Sequence, residues 1–350
     1  MTVQVYAPYC TATISGTAID TQLLRGARVE TSFADPVSRG YVKCLEDPGF
    51  SQGDDVTITM GNGDNNLTRF RGTILQGDWL NSGPTFELVC RGPLLKVAKY
   101  RNNRPNGFLL DDLTGGPATD EAIAQAVLDI CGISGGDIGS IGGTGIVRGG
   151  AAAVAYTWRQ GETGLDYLGR LSKASLGYKI VESPEDGNNI YRVQVLSQPG
   201  GGAEFTLTEG VDIFEGGHTQ KATFETAVAW QVTGFDYGDG LGAVSFSNPT
   251  TIPNGTVPYA FSSEMIERNT NADTRPGISC ETVLAYVQNE TDHTIVKVSG
   301  ISTPRDDLFG PGQIHHINSD MLGLDDDLVC VAVTCEVDDQ WFTQTMEYVG

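Results

Sequence analysis

Apolar and polar residues alternate along the first part of the chain, up to about Val97. The run 56–60 (VTITM) alternates strictly, as a half-buried strand does, and runs of similar character follow at 70–75 and 85–90. Turn-forming residues such as Asn62-Gly63-Asp64 separate these runs. Short strands joined by turns predict a small antiparallel barrel or sandwich for residues 1–97.

The periodicity changes at about Asp111, where apolar residues begin to recur at helical spacing. Thr119-Asp120 is a typical helix cap and Gly132 a typical stop, so a helix is predicted between them. A second helix is predicted from Glu162-Thr163 to Gly177. The apolar stripes are Ile123, Ala124, Val127, Leu128 and Cys131 in the first helix, and Leu165, Leu168 and Leu171 in the second.

Two strands, at 178–182 and 190–196, follow the second helix and are joined by a turn at 184–188. The glycine-rich stretch from Gly132 to Gly150 separates the helices and is expected to be a flexible loop. These elements predict a small α/β insert domain over residues 98–200.

Strand-like runs return after Gly200 and predict a second β domain over residues 201–350. The runs are 205–207, 228–234, 294–298, 328–337 and 341–349. Residues 245–275 are polar and lack periodicity, so a long loop or arm is expected there. The features from Gly53 to Val89 recur in the same order from Gly312 to Glu347, which either reflects an internal duplication or follows from alternation alone. The expected fold class is mainly β (α+β).

The net charge is −22, from 44 acidic and 22 basic residues. This balance argues against a surface that wraps nucleic acid, because such affinity comes from Lys and Arg neutralising phosphates. An acidic wall instead repels a polyanion and lets it slide past. Solubility alone, or adaptation to a saline host, would also explain the acidity.

No run of apolar residues approaches the roughly 18 that a membrane-spanning helix needs. The start, MTVQVYAPYC, has no basic segment followed by an apolar one, so no signal peptide is expected. A soluble protein made in the cytoplasm is therefore predicted.

The four histidines, His218, His293, His315 and His316, have no G-x-S-x-G elbow beside them, so no nucleophilic triad is predicted. His315 and His316 are adjacent in a strand and should point to opposite sides, which disfavours a shared metal. Asp325-Asp326-Asp327 lacks the spacing of a calcium loop and is expected to be a solvated turn before a strand.

The seven cysteines are scattered, without a CxxC pair, and are expected to be buried small apolar residues. They are Cys10, Cys44, Cys90, Cys131, Cys280, Cys330 and Cys335. Cys330 and Cys335 are separated by an odd number of positions in a strand-like run and should point to opposite faces, so no disulfide or zinc site is predicted there. Links between subunits remain an alternative.

Two other features are weak candidates for chemistry. The glycine-rich stretch lacks the G-K-[ST] of a phosphate-binding loop. Glu162 and Asp166 lie at helical spacing, which could pair two carboxylates for glycoside cleavage but usually marks a solvated helix face. No catalytic, cofactor-binding or metal-binding residue is predicted.

Several phrases resemble the baseplate or tail hub family of tailed phages, also called late control protein D, which is related to the hub part of type VI secretion spike proteins. The phrases are 53–56 (GDDV), 70–74 (FRGTI), 86–92 (FELVCRG), 122–124 (AIA) through 132–133 (GI), 158–163 (WRQGET) with Leu168, Leu171 and Gly177-Tyr178, and 311–314 (PGQI) with the final strand pair. The most specific is the W-x-x-G-E-T helix entry, and the resemblance spans nearly the whole chain.

This resemblance implies two tube-type antiparallel β-barrels that flank the α/β insert, with three copies forming a ring of six barrels. Such a homotrimer would join a sixfold tail tube to a threefold tip and leave an acidic channel for DNA. The implied role is structural and non-enzymatic, in the virion tail, after assembly in the host cytoplasm.

The implied partners are a tail tube or distal tail protein on one side and a separate spike or fibre protein on the other. No lysozyme-like insert is recognised, and the chain, ending at Gly350, leaves no room for a fused spike. The alternatives are a tail-associated cell-wall hydrolase or cell-wall-binding protein, and an acidic secreted or cell-surface β protein.

Overall fold

A computed structural model describes most of the chain. It covers residues 7–63, 66–80, 83–135, 138–141, 145, 147–148, 156–175, 178–184, 190–194, 202–213, 220–223, 229–233, 245–262, 283–284, 288, 296–303, 305, 310–338 and 340–349. The structure is 48% strand and 16% helix, which confirms the predicted mainly β class.

The elements before the insert are all strands. They are β1 (Tyr9–Ile14), β2 (Thr17–Ala18), β3 (Leu24–Ser32), β4 (Arg39–Cys44), β5 (Asp55–Gly61), β6 (Asn66–Trp79) and β7 (Phe86–Arg91). The predicted strands at 56–60, 70–75 and 85–90 lie within β5, within β6 and largely within β7, respectively.

Residues 94–194 contain four helices and several short strands. The elements are α1 (Leu94–Lys99), α2 (Leu110–Thr114), β8 (Ala118–Thr119), α3 (Asp120–Ile130), β9 (Ile138–Ile141), β10 (Val147–Arg148), α4 (Gly164–Ala174), β11 (Tyr178–Glu182) and β12 (Ile190–Gln194). Both predicted helices are confirmed as α3 and α4, and Thr119 caps α3 as expected. The predicted stop Gly177, the turn residues 185–188 and residues 195–196 lie outside the described residues.

The named elements after residue 194 are again strands, and residues 283–284 are helical. The strands are β13 (Phe205–Thr208), β14 (Gln220–Thr223), β15 (Trp230–Thr233), β16 (Ser245–Asn248), β17 (Tyr259–Ser262), β18 (Val296–Thr303), β19 (Ile314–Ser319), β20 (Leu324–Val337) and β21 (Phe342–Val349).

Two predicted loops contain strands. β16 and β17 lie inside the stretch expected to be a loop, and both pair with β15. Each has only four residues, too few for a period of two to be visible. Likewise β9 and β10 lie within the glycine-rich stretch. Residues 263–275 of the expected arm lie outside the described residues.

Thirteen strands from the two ends of the chain form one sheet. Its main order is β14-β18-β21-β20-β3-β4-β7-β6-β5-β1-β2, with β19 also paired to β20 and β13 to β19. The join between the two ends is the β3–β20 seam, in which Ala27–Ser32 pairs antiparallel with Ala332–Val337. No sheet is closed in the described residues, so two separate barrels are not confirmed.

The two halves of this sheet have the same strand order. The first half runs β3-β4-β7-β6-β5-β1 and the second runs β14-β18-β21-β20-β19-β13. In both, a four-residue connection leads into a 14-residue strand, β6 or β20. One difference is that β1 is antiparallel to β5 whereas β13 is parallel to β19. The repeated order supports the duplication that the sequence pattern suggested.

One apolar core lies under both halves of the sheet. It includes Ile58, Phe70 and Leu88 from the first half and Met346 and Tyr348 from the second, all essentially inaccessible to solvent. A second core fills the insert around Trp158, and residues of β15 belong to it. Among the described residues, no helix is long and apolar enough to cross a membrane.

Candidate assembly surface

The histidines of β19 confirm the expected alternation. His315 is buried and its Nδ1 lies 2.7 Å from the Tyr348 hydroxyl, whereas His316 lies on the solvent side, 2.8 Å from Asp327 Oδ1 and 3.0 Å from Asp325 Oδ1. These two carboxylates raise the pKa of His316. His218 and His293 lie outside the described residues.

The three consecutive aspartates are not a turn, as the sequence pattern suggested, but belong to β20, where Asp325, Asp326 and Asp327 pair with β19. All three side chains are exposed, so water solvates their carboxylates. Within the described ranges, no group of three or more His, Cys, Asp or Glu side chains is arranged to hold a metal ion.

The cysteines that the structure describes are free thiols, and all but Cys10 are buried. The prediction that Cys330 and Cys335 point to opposite faces is wrong, because a β-bulge between Cys330 and Ala332 shifts the alternation by one residue. Both side chains therefore enter the core. Burial raises the pKa of Cys44 to about 11 and that of Cys90 to about 12, so these thiols are poor nucleophiles. Cys280 lies outside the described residues.

Glu162 and Asp166 do not form a catalytic pair. Glu162 lies before α4 rather than on it, and its carboxylate receives hydrogen bonds from Arg170 at 2.6 and 2.8 Å. Asp166 closes the capping box of α4 with Thr163, whose hydroxyl donates to Asp166 Oδ2 at 2.7 Å. The W-x-x-G-E-T phrase is thus a helix entry held together by its own side chains.

A buried carboxylate joins the insert to the sheet. Glu182, at the end of β11, accepts hydrogen bonds from the Ser38 N–H at 3.0 Å, the Leu94 N–H at 2.6 Å and the Ser38 hydroxyl. Burial raises its pKa to about 8, although these three donors oppose the shift and the Asp35 charge adds to it. Sequence reasoning missed Glu182, because a strand-end glutamate gives no sign of burial.

Arg148 is a second buried charge inside the insert. Its guanidinium lies 3.7 Å from Asp120 Oδ2, and both side chains are fully buried. It donates to the Tyr156 hydroxyl at 3.3 Å and to Ser175 Oγ at 3.4 Å. These contacts tie the glycine-rich stretch to α3 and α4, and they give Arg148 a structural role that the sequence did not reveal.

One side of β6 is unpaired along its last residues among the described strands. β5 covers this side over Asn66–Thr73, with Gly53 and Asp54 bonded to Ile74, while β7 covers the other side over Thr73–Trp79. No described strand pairs with the β5 side of residues 76–79, which we call the free end of β6. Unpaired strand edges are where another chain can add a strand.

Two large apolar side chains are exposed at one end of the sheet. Trp79 is 52% exposed and its ring packs edge-on against Phe86 with centroids 5.4 Å apart. Trp341, in the turn after β20, is 60% exposed. Trp79 pairs with Phe86, which pairs with Cys44 at the end of β4. β4 pairs with the start of β3, and the start of β3 pairs with the end of β20, just before Trp341. Trp79 and Trp341 therefore lie at the same end of the sheet. Exposed aromatics at one end of a sheet are typical of a surface that binds protein.

The acidic charge is divided unequally along the chain. Residues 1–100 contain 9 Lys or Arg and 10 Asp or Glu, whereas residues 101–350 contain 13 and 34. The excess of negative charge therefore lies almost entirely in residues 101–350.

Comparison of the sequence with protein-family models and with curated proteins gives no match. The fold, in contrast, is similar to solved structures over almost its full length. A tail protein from Neisseria meningitidis has a TM-score of 0.65 at 11% identity, covering 99% of this chain and 97% of that one. A 43 kDa prophage tail protein from Shewanella oneidensis has a TM-score of 0.61 at 12% identity, covering 97% of each chain.

A component of the E. coli type VI secretion system, described as structurally similar to the T4 bacteriophage tail proteins gp27 and gp5, has a TM-score of 0.50 at 12% identity. The alignment covers 96% of this chain and 76% of that one. The resemblance inferred from the sequence is thereby confirmed at the level of the fold.

Proposed function

We propose that this chain is a structural protein of a virus tail, the hub that closes the tail tube and joins it to the tip. The repeated strand order carries the proposal: β3-β4-β7-β6-β5-β1 and β14-β18-β21-β20-β19-β13 give each chain two units of the same plan. The fold similarity to phage tail proteins supports it.

In this proposal the two units are tube-type barrels, formed by residues 1–97 and 201–350, and residues 98–200 form the insert between them. Three copies then place six units around a hole, which matches a sixfold tube on one side and a threefold tip on the other. The proposed partners are a tail tube or distal tail protein and a separate spike or fibre protein. The role is structural, in the virion tail, with no catalysis.

The same proposal includes a central channel lined by acidic side chains, through which genome DNA passes without specific binding. The concentration of acidic residues in positions 101–350 supports this, since like charge disfavours binding of a polyanion. A neutral or basic lumen in a map of the assembled ring would contradict the channel.

Electron microscopy of the purified chain at high concentration, alone and with its tube and spike proteins, tests the proposal. Threefold rings with a central hole are expected. A closed twofold dimer, or a chain that stays monomeric even with those proteins present, would contradict it. Adding the protein to host cell walls should leave their turbidity unchanged, whereas clearing would favour a cell-wall hydrolase.

A further inference from the structure

A cleft lies where helix α1 meets strands β5 and β6, and we call it the α1 cleft. Its volume is about 750 Å³, within the range of about 300–1,000 Å³ that ligand-binding clefts have. Its lining includes the apolar residues Leu75, Pro93 and Leu95 and the hydroxyls of Thr57 and Thr73. The α1 cleft therefore offers both apolar contact and hydrogen bonds to an occupant.

The charged side chains that line the α1 cleft are mostly basic. Lys96 and Lys99 belong to α1 and Arg71 to β6, whereas Asp55, at the start of β5, is acidic. The cleft thus carries an excess of positive charge in a chain whose net charge is −22. Local charge opposite in sign to that of the whole chain attracts anionic groups to this place.

The basic character comes from one stretch of the sequence. Residues 91–110 contain five Lys or Arg and no Asp or Glu. Two of these cations are used within the chain, since Arg91 lies 3.8 Å from Asp35 and Arg104 lies 3.1 Å from Asp112. The lysines of α1 are not used in this way.

Lys96 and Lys99 are three positions apart and lie on one face of α1, where both are exposed. Leu94 and Val97 are buried and anchor the helix in the core of the insert. Among the described residues, no carboxylate oxygen lies within 4.0 Å of either ammonium group. A chain with so large an acidic excess does not need two unpaired lysines for solubility, so a role in binding is favoured.

We propose that the α1 cleft binds an acidic segment of another protein. Its carboxylates pair with Lys96, Lys99 and Arg71, and an apolar side chain of the segment packs against Leu95. Asp55 limits how many carboxylates the cleft accepts. This proposal goes beyond the hub function and does not depend on the ring or the channel.

Two other occupants fit less well. Three cations neutralise too few phosphates to hold DNA at physiological salt, and the rest of the chain repels a polyanion. A second copy has one run of three consecutive acidic residues, Asp325–Asp327. That run belongs to a paired strand, and two of its carboxylates already bind His316, so it cannot enter a cleft as a free segment.

Fluorescence anisotropy with the full chain and a fluorescein-labelled peptide of alternating Glu and Ala tests the proposal. The dissociation constant should lie below about 1 mM at low salt and rise about tenfold or more in high salt, because salt screens exposed charges. The same peptide with Gln in place of Glu should not bind. Absence of binding, or equal binding of both peptides, would overturn this proposal and leave the hub proposal standing.

Two double variants with the same change in net charge locate the site. Lys96→Gln/Lys99→Gln keeps the helix propensity of α1 and should weaken binding of the Glu peptide about tenfold. Arg25→Gln/Arg159→Gln, at exposed positions outside the cleft, should change it by less than about twofold. Equal weakening by both would assign binding to the overall charge and overturn the site.

A variant with the opposite effect guards against loss through misfolding. Asp55→Asn removes the one carboxylate that lines the cleft and should tighten binding of the Glu peptide by about threefold. Unchanged or weaker binding by this variant would contradict an occupant that carries carboxylates.

The other two occupants are tested with the same proteins. An oligothymidylate with as many charges as the peptide should bind more weakly, and tighter binding would overturn a polypeptide as the occupant. Sedimentation velocity without peptide should show the same self-association for the wild type and Lys96→Gln/Lys99→Gln. Self-association that only the wild type shows would place a second copy in the α1 cleft and overturn the proposal.

Discussion

At the scale of single residues, the sequence identifies each side chain but not the residues that surround it in the fold. It placed His315 and His316 on opposite sides of a strand because strand alternation is regular. It misplaced Cys330 and Cys335 because a bulge interrupts that alternation, and no residue pattern marked the bulge. It also missed Glu182, whose burial depends on Ser38 and Leu94, residues 144 and 88 positions away.

Glu182 should make stability depend on pH. Its pKa in the folded chain is raised to about 8 from an ordinary 4.5, so its contribution is fully present below about pH 4.5 and is lost as pH rises through 8. Glu182→Gln cannot ionise. The stability advantage of the wild type over this variant should therefore shrink by about 1–4 kcal/mol between pH 5 and pH 9.

Thermal unfolding at several pH values measures this difference. Glu46→Gln, at an exposed position, is the matched control and should show no comparable pH dependence relative to the wild type. An advantage over Glu182→Gln that stays constant from pH 5 to pH 9 would show that the carboxyl does not change protonation in this range.

At the scale of elements, the sequence predicted the helices and strands whose signals come from neighbouring residues. Thr119 and Thr163 announce α3 and α4 because capping depends on neighbouring residues alone. β16 and β17 gave no such signal, since each pairs with β15 and owes its existence to that distant strand. The local pattern of a sequence does not show which separate segments will pair as strands.

The cap of α4 should be measurable. Thr163→Ala removes the hydroxyl that accepts the Asp166 N–H at 3.1 Å, and should lower the free energy of unfolding of the insert by about 1 kcal/mol. Thr163→Ser keeps the hydroxyl and should stay close to the wild type. Chemical denaturation compares the three proteins, and equal losses in both variants would assign the effect to the methyl group.

The β3–β20 seam depends on a glycine. A Cβ on Gly26 would collide with the Val337 carbonyl, so Gly26→Ala should destabilise the sheet by about 1–3 kcal/mol. Gly169→Ala is the control, because a Cβ there meets open space on α4 and should stabilise by about 0.5–1 kcal/mol. Denaturation midpoints that move in the same direction for both would contradict the seam as the cause.

At the scale of the whole molecule, the sequence predicted two β regions around an α/β insert. It did not predict that the two regions form one sheet. The join consists of backbone bonds between Ala27–Ser32 and Ala332–Val337, and backbone bonds leave little trace in side-chain type. The shared core was missed for a similar reason, because the sequence around Leu88 and around Met346 shows only an ordinary strand pattern.

A shared core should make the two halves unfold together. Leu88→Ala removes a fully buried side chain of β7 and should cost about 2–5 kcal/mol. Amides of β21 should then exchange faster by the same free energy as amides of β7, as native-state hydrogen exchange would detect. Faster exchange confined to the first half would show that the halves open separately.

The β3–β20 seam also has a mechanical consequence. Its six residue pairs are antiparallel and in register, so a load that slides one half of the sheet along its strands past the other strains all of these bonds at once. A load that peels the halves apart would break them one after another. The molecule is thus stiff against sliding and weaker against peeling, and single-molecule pulling along the two directions should give clearly different rupture forces.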